Sequence, residues 1–513
     1  MPDAGGQAEV IEFLSRSDTF GAPVERLDTH SAAVFLVGDR ALKLKRDVRY
    51  SYLDFSTLDL RKRACHAEVA INRRTAPSLY RGVVAVTRES SGRLAIAGSG
   101  QAVEFLVDMA RFDQALLLDR MAAARRLDLS LMPGLADAVA RFHLDAERNE
   151  EHGGHDGIVR VIDGNMSGFS SQGRNILDPG TSRRVTDTAL AVAARERERL
   201  ERRRRDGFVR RCHGDLHLRN LVLLEGQPTL FDAIEFNEDL ACIDVWYDLA
   251  FLLMDLTKRG LRAHAAAVLN GYLARTGDYE GLALLPLFLS CRAGVRAMTT
   301  ATAARFQADT RKAADMEALA REYLDLAEVL LAPSPAVLVA VGGLSGSGKS
   351  TLARALAPSV GATPGAVVLR SDELRKALFG MDSLTPLGPD GYEPPATARV
   401  YATLTDRAAR VLRSGHSVVA DAVFARPEDR AAIEAVAREA ATPFAGIWLD
   451  VGSDVLKARV RGRGPDASDA TEQVVQRQVE ALSDDITWHR LDASGPAETV
   501  FERARRAVHP GGP

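Results

Sequence analysis

A short run of acidic and amide residues near the middle of the chain has the composition that phosphoryl transfer requires. Asp215 precedes Asn220 by five positions in the run His213-Gly-Asp-Leu-His-Leu-Arg-Asn220, and Asp232 follows twelve positions later, after an apolar stretch. In such an arrangement one carboxylate accepts the proton of the attacking hydroxyl, while an amide oxygen and a second carboxylate hold Mg²⁺ against the phosphates of a nucleotide. The spacing therefore predicts one loop that supplies base and metal ligands together.

Two lysines and a glutamate upstream are candidates for the cationic part of the same site. Lys43 lies in a predicted strand and Glu68 in the helical pattern that follows it. An ion pair between them would aim the ammonium group at the α- and β-phosphates of ATP. Lys45 lies two residues further on the same face of the strand, and the sequence does not decide between the two lysines.

A glycine-rich run later in the chain is a second phosphate-binding signature of different design. It follows an apolar run and opens a helical pattern, which is the context that makes Gly-x4-Gly-Lys-Ser specific for nucleotides. Backbone N–H groups wrap the phosphates, Lys349 bridges the β- and γ-phosphates, and Ser350 ligates Mg²⁺. The predicted phosphate-binding residues are Gly343, Leu344, Ser345, Gly346, Ser347, Gly348, Lys349, Ser350 and Thr351.

The residues that follow this loop indicate transfer to a separate acceptor. Asp372 and Arg375 come directly after a strand-like run that ends at Arg370, at the end of the sheet where an acceptor hydroxyl would sit. Asp372 is the candidate base, with helix capping as its alternative role, and Arg375 is the candidate substrate clamp. Asp421 ends another apolar strand at the position that orders the Mg²⁺ shell.

A basic cluster precedes Gly464-Pro465 and predicts a lid. Such a cluster can close over the transferring phosphoryl group, where its charge is stabilised away from water. Solvated surface charge is the alternative reading of each member. Arg459 and Arg463 are the predicted catalytic members, and Lys457 and Arg461 are their neighbours.

The order of predicted elements distributes these residues over two domains of different fold. Strands with one helix precede about residue 110, mostly helical patterns follow, and Ala332-Pro-Ser-Pro335 breaks the last of them. Beyond it, strand-like runs alternate with helical segments, which implies a parallel sheet. We expect an α+β bilobal kinase-like domain over residues 1–331 (small lobe about 1–110, helical lobe about 111–331), a linker at 332–335, and an α/β P-loop domain with a parallel sheet over 336–513.

The first domain resembles the aminoglycoside phosphotransferase-like family, which is related in fold to protein kinases. The likeness covers roughly residues 8–330 and includes Phe231-Asp-Ala-Ile-Glu-Phe236 and Ile243-Asp-Val-Trp-Tyr-Asp-Leu-Ala-Phe251 besides the catalytic run. The resemblance implies that Asp215 is the base, that Asn220 and Asp232 hold the metal, and that Asp248 supports the catalytic loop from behind.

One part of the kinase pattern is missing from this domain. The first predicted hairpin has no Gly-x-Gly-x-x-Gly loop, so the phosphates must be covered more loosely or by Thr29, Ser31 and neighbouring backbone amides. His213 is expected to brace the catalytic loop rather than to act as an acid.

The second domain resembles the P-loop small-molecule and polynucleotide kinases, a group that includes gluconate kinase-like, zeta-toxin-like and RNA-end kinases. The likeness covers about residues 336–508, and Asp466-Ala-Ser-Asp-Ala470 looks like a signature of predicted kinases within this group. Both resemblances imply ATP as the phosphoryl donor and Mg²⁺ as the metal.

The composition limits the cellular compartment and the classes of binding partner that we expect. The 513 residues carry a formal net charge of −3, which gives no global attraction to nucleic acid. The four scattered cysteines favour neither a zinc site nor a disulfide framework, which fits a reducing cytoplasm. The amino terminus does not read as a secretory signal, and the apolar runs are too short or too charged to span a membrane, so no membrane partner is expected.

These observations predict a bifunctional ATP-dependent phosphotransferase that acts on hydroxyl groups of small molecules. In one alternative, one domain is a nucleotide-binding sensor that regulates the other. In a second, less favoured alternative, the carboxyl-terminal domain phosphorylates RNA ends, although no aromatic and basic binding stripe is evident.

Overall fold

The computed structural model describes residues 4–50, 53–382, 385–462, 464, 466–480, 482 and 485–508. The chain divides into two compact units, residues 1–171 with 186–255 and residues 172–185 with 256–513. The division falls inside the helices Pro179–Arg195 and Val245–Lys258 and not at residues 332–335. The predicted functional bounds 1–331 and 336–513 stay a prediction.

The amino-terminal part of the first unit is a six-stranded antiparallel sheet with helices. Its helices are α1 (Ala4–Ser15), α2 (Ser17–Phe20) and α3 (Leu58–Asn72). Its strands are β1 (Glu25–Asp28), β2 (Ala32–Val37), β3 (Arg40–Lys45), β4 (Arg49–Tyr50), β5 (Leu53–Asp54), β6 (Tyr80–Arg88), β7 (Leu94–Ile96) and β8 (Gln101–Ala110). The sheet order is β1-β2-β3-β8-β6-β7, and β4 pairs with β5.

The alternation of side chains along β3 directs its lysines toward α3. Leu42 and Leu44 belong to the apolar cluster that includes Val10 and Leu14 of α1. Successive side chains of a strand point to opposite faces, so the lysines at 43 and 45 face the other way, where Glu68 of α3 lies.

The remainder of the first unit is mainly helical, with two short antiparallel strand pairs. Its helices are α4 (Leu118–Ala123), α5 (Met132–Asp145), α6 (Gly154–Ser171), α7 (Pro179–Arg195), α8 (Arg197–Arg205), α9 (Glu238–Ala241) and α10 (Val245–Lys258). Its strands are β9 (Val209–Arg211), β10 (Leu221–Leu224), β11 (Gln227–Leu230) and β12 (Cys242–Asp244), paired as β9 with β12 and β10 with β11. The catalytic run therefore lies on the loop between β9 and β10, which agrees with the single loop that its spacing predicts.

The second unit contains a five-stranded parallel sheet and helices. Its strands are β13 (Leu338–Gly343), β14 (Val367–Arg370), β15 (Val418–Asp421), β16 (Phe444–Asp450) and β17 (His489–Asp492), in the order β14-β15-β13-β16-β17. Its helices are α11 (Arg262–Thr276), α12 (Leu285–Arg305), α13 (Thr310–Leu331), α14 (Lys349–Leu356), α15 (Ser371–Leu378), α16 (Pro394–Arg413), α17 (Pro427–Glu439), α18 (Ser453–Arg461), α19 (Glu472–Glu480) and α20 (Ala497–Val508).

Parallel pairing brings the predicted residues of the second site to one edge. Arg370 at the end of β14 pairs in register with Asp421 at the end of β15, and Gly343 ends the neighbouring β13. Loops at the carboxyl ends of parallel strands are where such sheets bind ligands. The predicted fold class, a bilobal kinase-like domain followed by a P-loop domain with a parallel sheet, is confirmed.

One apolar stretch in the second unit meets the length and composition of a membrane span. Tyr279–Arg305 has a mean hydropathy of 1.3 in its most apolar window, and 72% of that window is buried. A mostly buried core helix passes the same test, so the stretch is weak evidence for a membrane.

Candidate active sites

The first candidate site contains a row of oppositely charged side chains between β3 and the segment after β11. Lys43 Nζ lies 2.8 Å from Glu68 Oε1 and 2.6 Å from Asp232 Oδ1. Lys45 Nζ lies 2.5 Å from the other carboxylate oxygen of Glu68 and also pairs with Glu235. The charges alternate in sign along the row, so each buried charge has an opposite neighbour.

The two lysines differ in exposure. The side chain of Lys43 is 15% exposed and that of its partner Asp232 is 40% exposed. The side chain of Lys45 is only 3% exposed and lies between two buried carboxylates. Lys43 is thus the lysine at the open end of the row.

The pKa values in this row follow from burial and from the opposite charges. Burial alone would lower the pKa of Lys43, but the carboxylates of Asp232 and Glu68 outweigh it and raise that pKa well above its usual range. Burial would raise the pKa of Glu68, yet Lys43 and Lys45 lower it to about 2. At Glu235 burial outweighs Lys45, and the pKa is raised.

The catalytic run holds its aspartate in a defined position. Asn220 Nδ2 donates to Asp215 Oδ2 at 2.8 Å and to the Asp215 carbonyl oxygen at 2.9 Å. His217 Nε2 lies 3.3 Å from the same carboxylate oxygen. Since the amide nitrogen of Asn220 is committed to Asp215, its amide oxygen is the atom available to a cation.

Asp248 supports this loop from below, as the resemblance implied. Its carboxylate is fully buried and accepts the backbone N–H groups of His213 and Gly214 at 3.0 and 2.9 Å. His143 Nε2 lies 3.0 Å from the same carboxylate. Cys212 completes a buried group whose ligand atoms lie within 4.8 Å of one another. The backbone contacts of Asp248 give this group a structural role.

His213 joins the catalytic loop to the residue that follows β11, and the turn at Asp232 contacts Tyr80. His213 Nε2 donates to the carbonyl oxygen of Phe231 at 2.9 Å, and burial lowers the pKa of the ring. Asp232 has a left-handed φ of +62°, and its N–H donates to the hydroxyl of Tyr80 at 3.1 Å. A neutral His213 therefore acts as a brace.

Three contributors to the first site were missed from the sequence. Glu235 stands in the quoted run after Asp232 but was given no role, and Tyr80 offered no local signal. Asn72 accepts the N–H of Ala233 at 2.8 Å and lies one helical turn after Glu68, a spacing that could have identified it.

The predicted phosphate-covering residues lie in the turn between β1 and β2. Thr29 Oγ1 accepts the N–H of Ala32 at 2.9 Å, and the carbonyl oxygen of Ser31 accepts the N–H of Arg46 at 2.8 Å. These bonds shape the turn, and contact with phosphates stays a prediction.

The second candidate site lies at the carboxyl ends of β13, β14 and β15. Ser350 Oγ donates to Asp421 Oδ2 at 2.6 Å, and Lys349 Nζ donates to the carbonyl oxygen of Leu344 at 3.0 Å. The buried hydroxyl of Ser347 has no partner among the described residues. An unpaired hydroxyl, an ammonium group and successive backbone N–H groups suit a chain of phosphates.

Two glycines of this loop could not be replaced without strain. Gly346 has a φ of +86°, and a Cβ there would lie 2.7 Å from the carbonyl oxygen of Leu456. Gly348 has a φ of +96° and precedes the first residue of α14. Both adopt the backbone conformation that glycine permits.

Arg370 connects Asp421, the predicted metal-side carboxylate, to residues on the predicted acceptor side. Its guanidinium lies 3.3 Å from Asp421 Oδ2, 2.6 Å from Glu373 Oε1 and 2.9 Å from Asp466 Oδ1. Burial would lower its pKa, but the three carboxylates raise it. Arg370 was not among the predicted catalytic, metal-binding or substrate-binding residues, and was considered only as a contact to the RNA backbone in the less favoured alternative.

Asp372 is placed near the phosphate loop at the start of α15. Burial raises its pKa, with the charge of Asp421 adding to the effect, while Lys349, Arg370 and a hydrogen bond from Ser468 oppose it. The residue before α15 is Arg370, which makes no side-chain capping bond. Neither Ser371 nor Asp372 is therefore the residue that caps the helix.

The signature segment Asp466–Asp469 lies against β14 and α15. Asp466 pairs with Arg370, and Ser468 bonds to Asp372. Asp469 accepts Lys376 Nζ at 2.8 and 2.6 Å on its two carboxylate oxygens. The motif identified from the sequence thus contacts β14 and α15, where the acceptor is predicted to bind. Arg375, the predicted clamp, lies on the same helix as Asp372.

Of the two predicted lid arginines, only Arg459 lies among the described residues, and its guanidinium contacts backbone oxygens. Arg459 donates to the carbonyl oxygens of Ala493 and Ser494 at 2.9 and 3.2 Å. It lines a cavity of about 540 Å³ beside the phosphate loop, together with Gly348 and Thr351. Arg463 lies outside the described residues, and the catalytic roles of both stay predictions.

Comparison with family models agrees with this division of the chemistry. A family model described as phosphotransferase enzyme family matches residues 98–285, and one described as AAA domain matches residues 338–484. The first covers the catalytic run, and the second covers the phosphate loop with Asp372 and Asp421. The chain is a phosphotransferase enzyme built from a kinase-like domain and a P-loop kinase-like domain.

Two mycobacterial relatives align with the chain over nearly its whole length. Uncharacterized protein Rv2004c of Mycobacterium tuberculosis and Uncharacterized protein Mb2027c of Mycobacterium bovis are each 30% identical to the chain over 487 residues, 93% of this chain and 94% of the relative. The chain belongs to the same family as these mycobacterial proteins.

Similar solved structures each cover part of the chain. A gluconokinase from Sinorhizobium meliloti 1021 is 24% identical and covers 34% of this chain and 91% of its own, with a TM-score of 0.25. A choline/ethanolamine kinase family protein from Mesorhizobium loti is 13% identical and covers 63% of this chain and 99% of its own, with a TM-score of 0.37.

Proposed function

We propose that both sites transfer the γ-phosphoryl group of ATP to a hydroxyl group of a small molecule, and that both require Mg²⁺. The observation that carries the proposal is that each site contains a candidate base, a cation for the phosphates and oxygen ligands for a metal. The first site brings Lys43, Glu68 and Asp232 into contact beside Asp215 and Asn220.

At the first site, Lys43 is the lysine that we assign to the phosphates. It contacts both Glu68 and Asp232 and lies at the open end of the row, whereas Lys45 is enclosed by carboxylates. Glu68 keeps Lys45 as a partner when Lys43 turns toward a nucleotide. The enclosed pair thus holds the glutamate in place.

Asp215 is the base of this site in the proposal. Its carboxylate is 40% exposed and so accessible to an acceptor hydroxyl, and Asn220 holds it by a hydrogen bond. The bond fixes the carboxylate without neutralising it, which a proton acceptor requires. Asp248 keeps the loop rigid through two backbone N–H groups.

The oxygen donors at both sites fit Mg²⁺. The first offers the amide oxygen of Asn220 and the carboxylate of Asp232, and the second offers the hydroxyl oxygen of Ser350 next to Asp421. Hard oxygen ligands of this kind are those that Mg²⁺ takes in nucleotide sites. A bound Mg²⁺ would neutralise the phosphate oxygens during transfer.

At the second site the chain supplies a phosphate loop and a base. The hydroxyl of Ser347 has no partner among the described residues, as expected of a donor that waits for a phosphate oxygen. Asp372 has its pKa raised chiefly by burial, which strengthens it as a proton acceptor once ionised. We further propose that the chain acts in the cytoplasm without a membrane partner.

Transfer of label from γ-labelled ATP tests the proposal. The full chain is incubated with small-molecule extracts, and labelled products are separated. Asp215→Asn should remove one product and Lys349→Ala the other, because losing a base costs about 10²–10⁴ in rate and losing a phosphate-binding donor costs about 10²–10³.

Matched variants control for nonspecific damage. Asp206→Asn replaces an exposed aspartate after α8, and Lys312→Ala replaces an exposed lysine on α13. Both should keep both products. A loss below tenfold at Asp215 or Lys349 would refute the role given to that residue.

A further inference from the structure

Gln478 of α19 forms a hydrogen bond with the backbone of the phosphate loop. Its Oε1 accepts the N–H of Ser345 at 2.9 Å. The carbonyl oxygen of the same peptide unit, that of Leu344, accepts Lys349 Nζ at 3.0 Å. An amide side chain from a distant helix therefore shares a peptide unit with the lysine that is predicted to hold the phosphates.

The nitrogen of this amide group is available to a ligand. A glutamine side chain carries two N–H donors on its nitrogen besides its oxygen acceptor. Because the N–H of Ser345 must meet the oxygen, the nitrogen faces elsewhere. Nε2 of Gln478 makes no hydrogen bond with any residue that the structure describes. Two donors beside the phosphate loop can thus bind an acceptor oxygen.

Two cations of the predicted lid are bonded to α19. Lys457 Nζ donates to Gln476 Oε1 at 2.6 Å, and the guanidinium of Arg461 pairs with Glu472 at 2.7 and 2.8 Å. These bonds join α18 to α19. The two cations therefore hold α19 in place, while the hydrogen bond from α19 to the phosphate loop is made by Gln478.

Packing fixes the position of this pair of helices. A Cβ at Gly346 of the phosphate loop would lie 2.7 Å from the carbonyl oxygen of Leu456 and 3.0 Å from Val460 Cγ2, so α18 packs directly against the loop. Val475 of α19 is fully buried. The side chain of Gln478 is thus presented by a packed element, as a preorganised donor requires.

The chain that leads into α19 contacts the predicted base. Ser468 forms a hydrogen bond with Asp372. In the proposed reaction the phosphoryl group passes from the phosphate loop to an acceptor hydroxyl next to that base. The stretch 468–478 therefore contacts both ends of this path, the base through Ser468 and the loop through Gln478.

We propose that Gln478 donates a hydrogen bond from Nε2 to an oxygen of the transferring phosphoryl group at the second site, while its Oε1 stays on the phosphate loop. This inference rests on the proposed function of that site. The acceptor oxygen forms a bond to the γ-phosphorus of ATP, the bond from that phosphorus to the bridging oxygen of ADP breaks, and the hydroxyl proton passes to Asp372. Gln478 gives up no proton, and its donors stabilise the charge on the phosphoryl oxygens during transfer.

The kinetics of Lys349-dependent transfer test this role in the full chain, with γ-labelled ATP and the small-molecule extract. Gln478→Met keeps a side chain of similar length but removes both donors. Its kcat should fall about 10²–10³-fold, which is the cost of losing a preorganised donor. The Ki of MgADP as an inhibitor of the same reaction should not change, because ADP lacks the phosphoryl group that Gln478 contacts.

Gln478→Glu separates a donor from a mere anchor of α19. The carboxylate can still accept the N–H of Ser345, but it offers no donor and repels the phosphates. The kcat of this variant should therefore fall at least as far as that of Gln478→Met. A wild-type kcat in Gln478→Glu would make the residue an anchor and overturn the inference. A fall of less than about tenfold in Gln478→Met would overturn it as well.

A control and two further outcomes complete the test. Gln473→Met, at an exposed glutamine of α19, is the matched control and should change neither kcat nor the Ki of MgADP. A lower KM for MgATP with an unchanged kcat in Gln478→Met would show that the amide competes with the phosphates, and would overturn the inference while leaving the proposed function intact. Absence of Lys349-dependent label in the wild type would refute the proposed function of this site and the inference with it.

Discussion

Replacing the two lysines of the first site one at a time should separate nucleotide binding from stability. Lys43→Met leaves Glu68 paired with Lys45 and leaves Asp232 with a side chain that is 40% exposed, so no buried charge is abandoned. Lys45→Met leaves Glu235, whose side chain is 5% exposed, without its partner. The first change should therefore affect binding and the second should affect folding.

The magnitudes follow from these environments. Losing the charged donor of Lys43 removes about 1.5–3 kcal/mol from nucleotide binding, which weakens the Kd about 10- to 150-fold. Removing one partner of a buried ion pair costs about 3–5 kcal/mol. For a unit of this size that loss lowers the Tm by roughly 6–20 °C. Burial raises the pKa of Glu235, so the penalty in Lys45→Met should shrink as the pH falls and Glu235 takes up a proton.

The assay measures MgADP binding by calorimetry and unfolding by thermal scanning in a Lys349→Ala background, where only the first site binds nucleotide. Lys62→Met, at an exposed lysine of α3, is the matched control. Adding Glu235→Gln to Lys45→Met should restore part of the Tm, because the unpaired charge is gone. The reasoning is refuted if Lys43→Met lowers the Tm more than Lys45→Met does, or if Lys45→Met alone abolishes MgADP binding at temperatures where the protein stays folded.

Three further outcomes follow from the same geometry. Asp248→Asn should lower the Asp215-dependent transfer about 5- to 150-fold, because a buried N–H donor left unpaired costs about 1–3 kcal/mol. The Lys349-dependent transfer should not change. The labelled products of one reaction report both rates. Burial raises the pKa of Asp372 above its usual 3.8. The Lys349-dependent rate should therefore fall as the pH is lowered through that raised value. A pH–rate profile with its acid limb at or below 3.8 would contradict the assignment of Asp372 as the base. Ser468→Ala removes a bond that lowers this pKa, so the limb should move to higher pH, and Ser468→Thr should return it.

The contiguous parts of both sites could be predicted from the sequence because their chemistry depends on local spacing. The loop from Gly343 to Thr351 needs only a preceding strand and a following helix. Strands were also expected to end at Arg370 and Asp421, and β14 and β15 end there. The catalytic run likewise carries its base and its amide ligand within eight residues.

Contacts between distant segments could not be predicted in this way. The pairing of Arg370 with Asp466 joins residues 96 positions apart, and Lys376 meets Asp469 across 93 positions. The partner of Lys45, Glu235, is 190 positions away. Such pairs depend on how the elements pack, and a single sequence carries no periodic signal for them.

The boundary between the two compact units likewise depends on contacts between distant segments and could not be predicted from the sequence. Proline at 333 and 335 marks the end of a helix, but helices that precede it pack with the parallel sheet. Asn270 of α11 accepts the N–H of Val368 at 2.7 Å and donates to the carbonyl oxygen of Ala366 at 3.2 Å. One amide thereby occupies the open edge of β14, an arrangement that composition does not reveal.

The central claim is that one chain carries two separate phosphotransferase sites. The most direct test compares wild type, Asp215→Asn, Lys349→Ala and the double variant for label transfer from γ-labelled ATP to the same extract. The account predicts that each single variant loses a different product and keeps the other at the wild-type rate, and that the double variant forms neither. A product lost in both single variants would contradict separate sites, and a product that persists in the double variant would contradict both catalytic assignments.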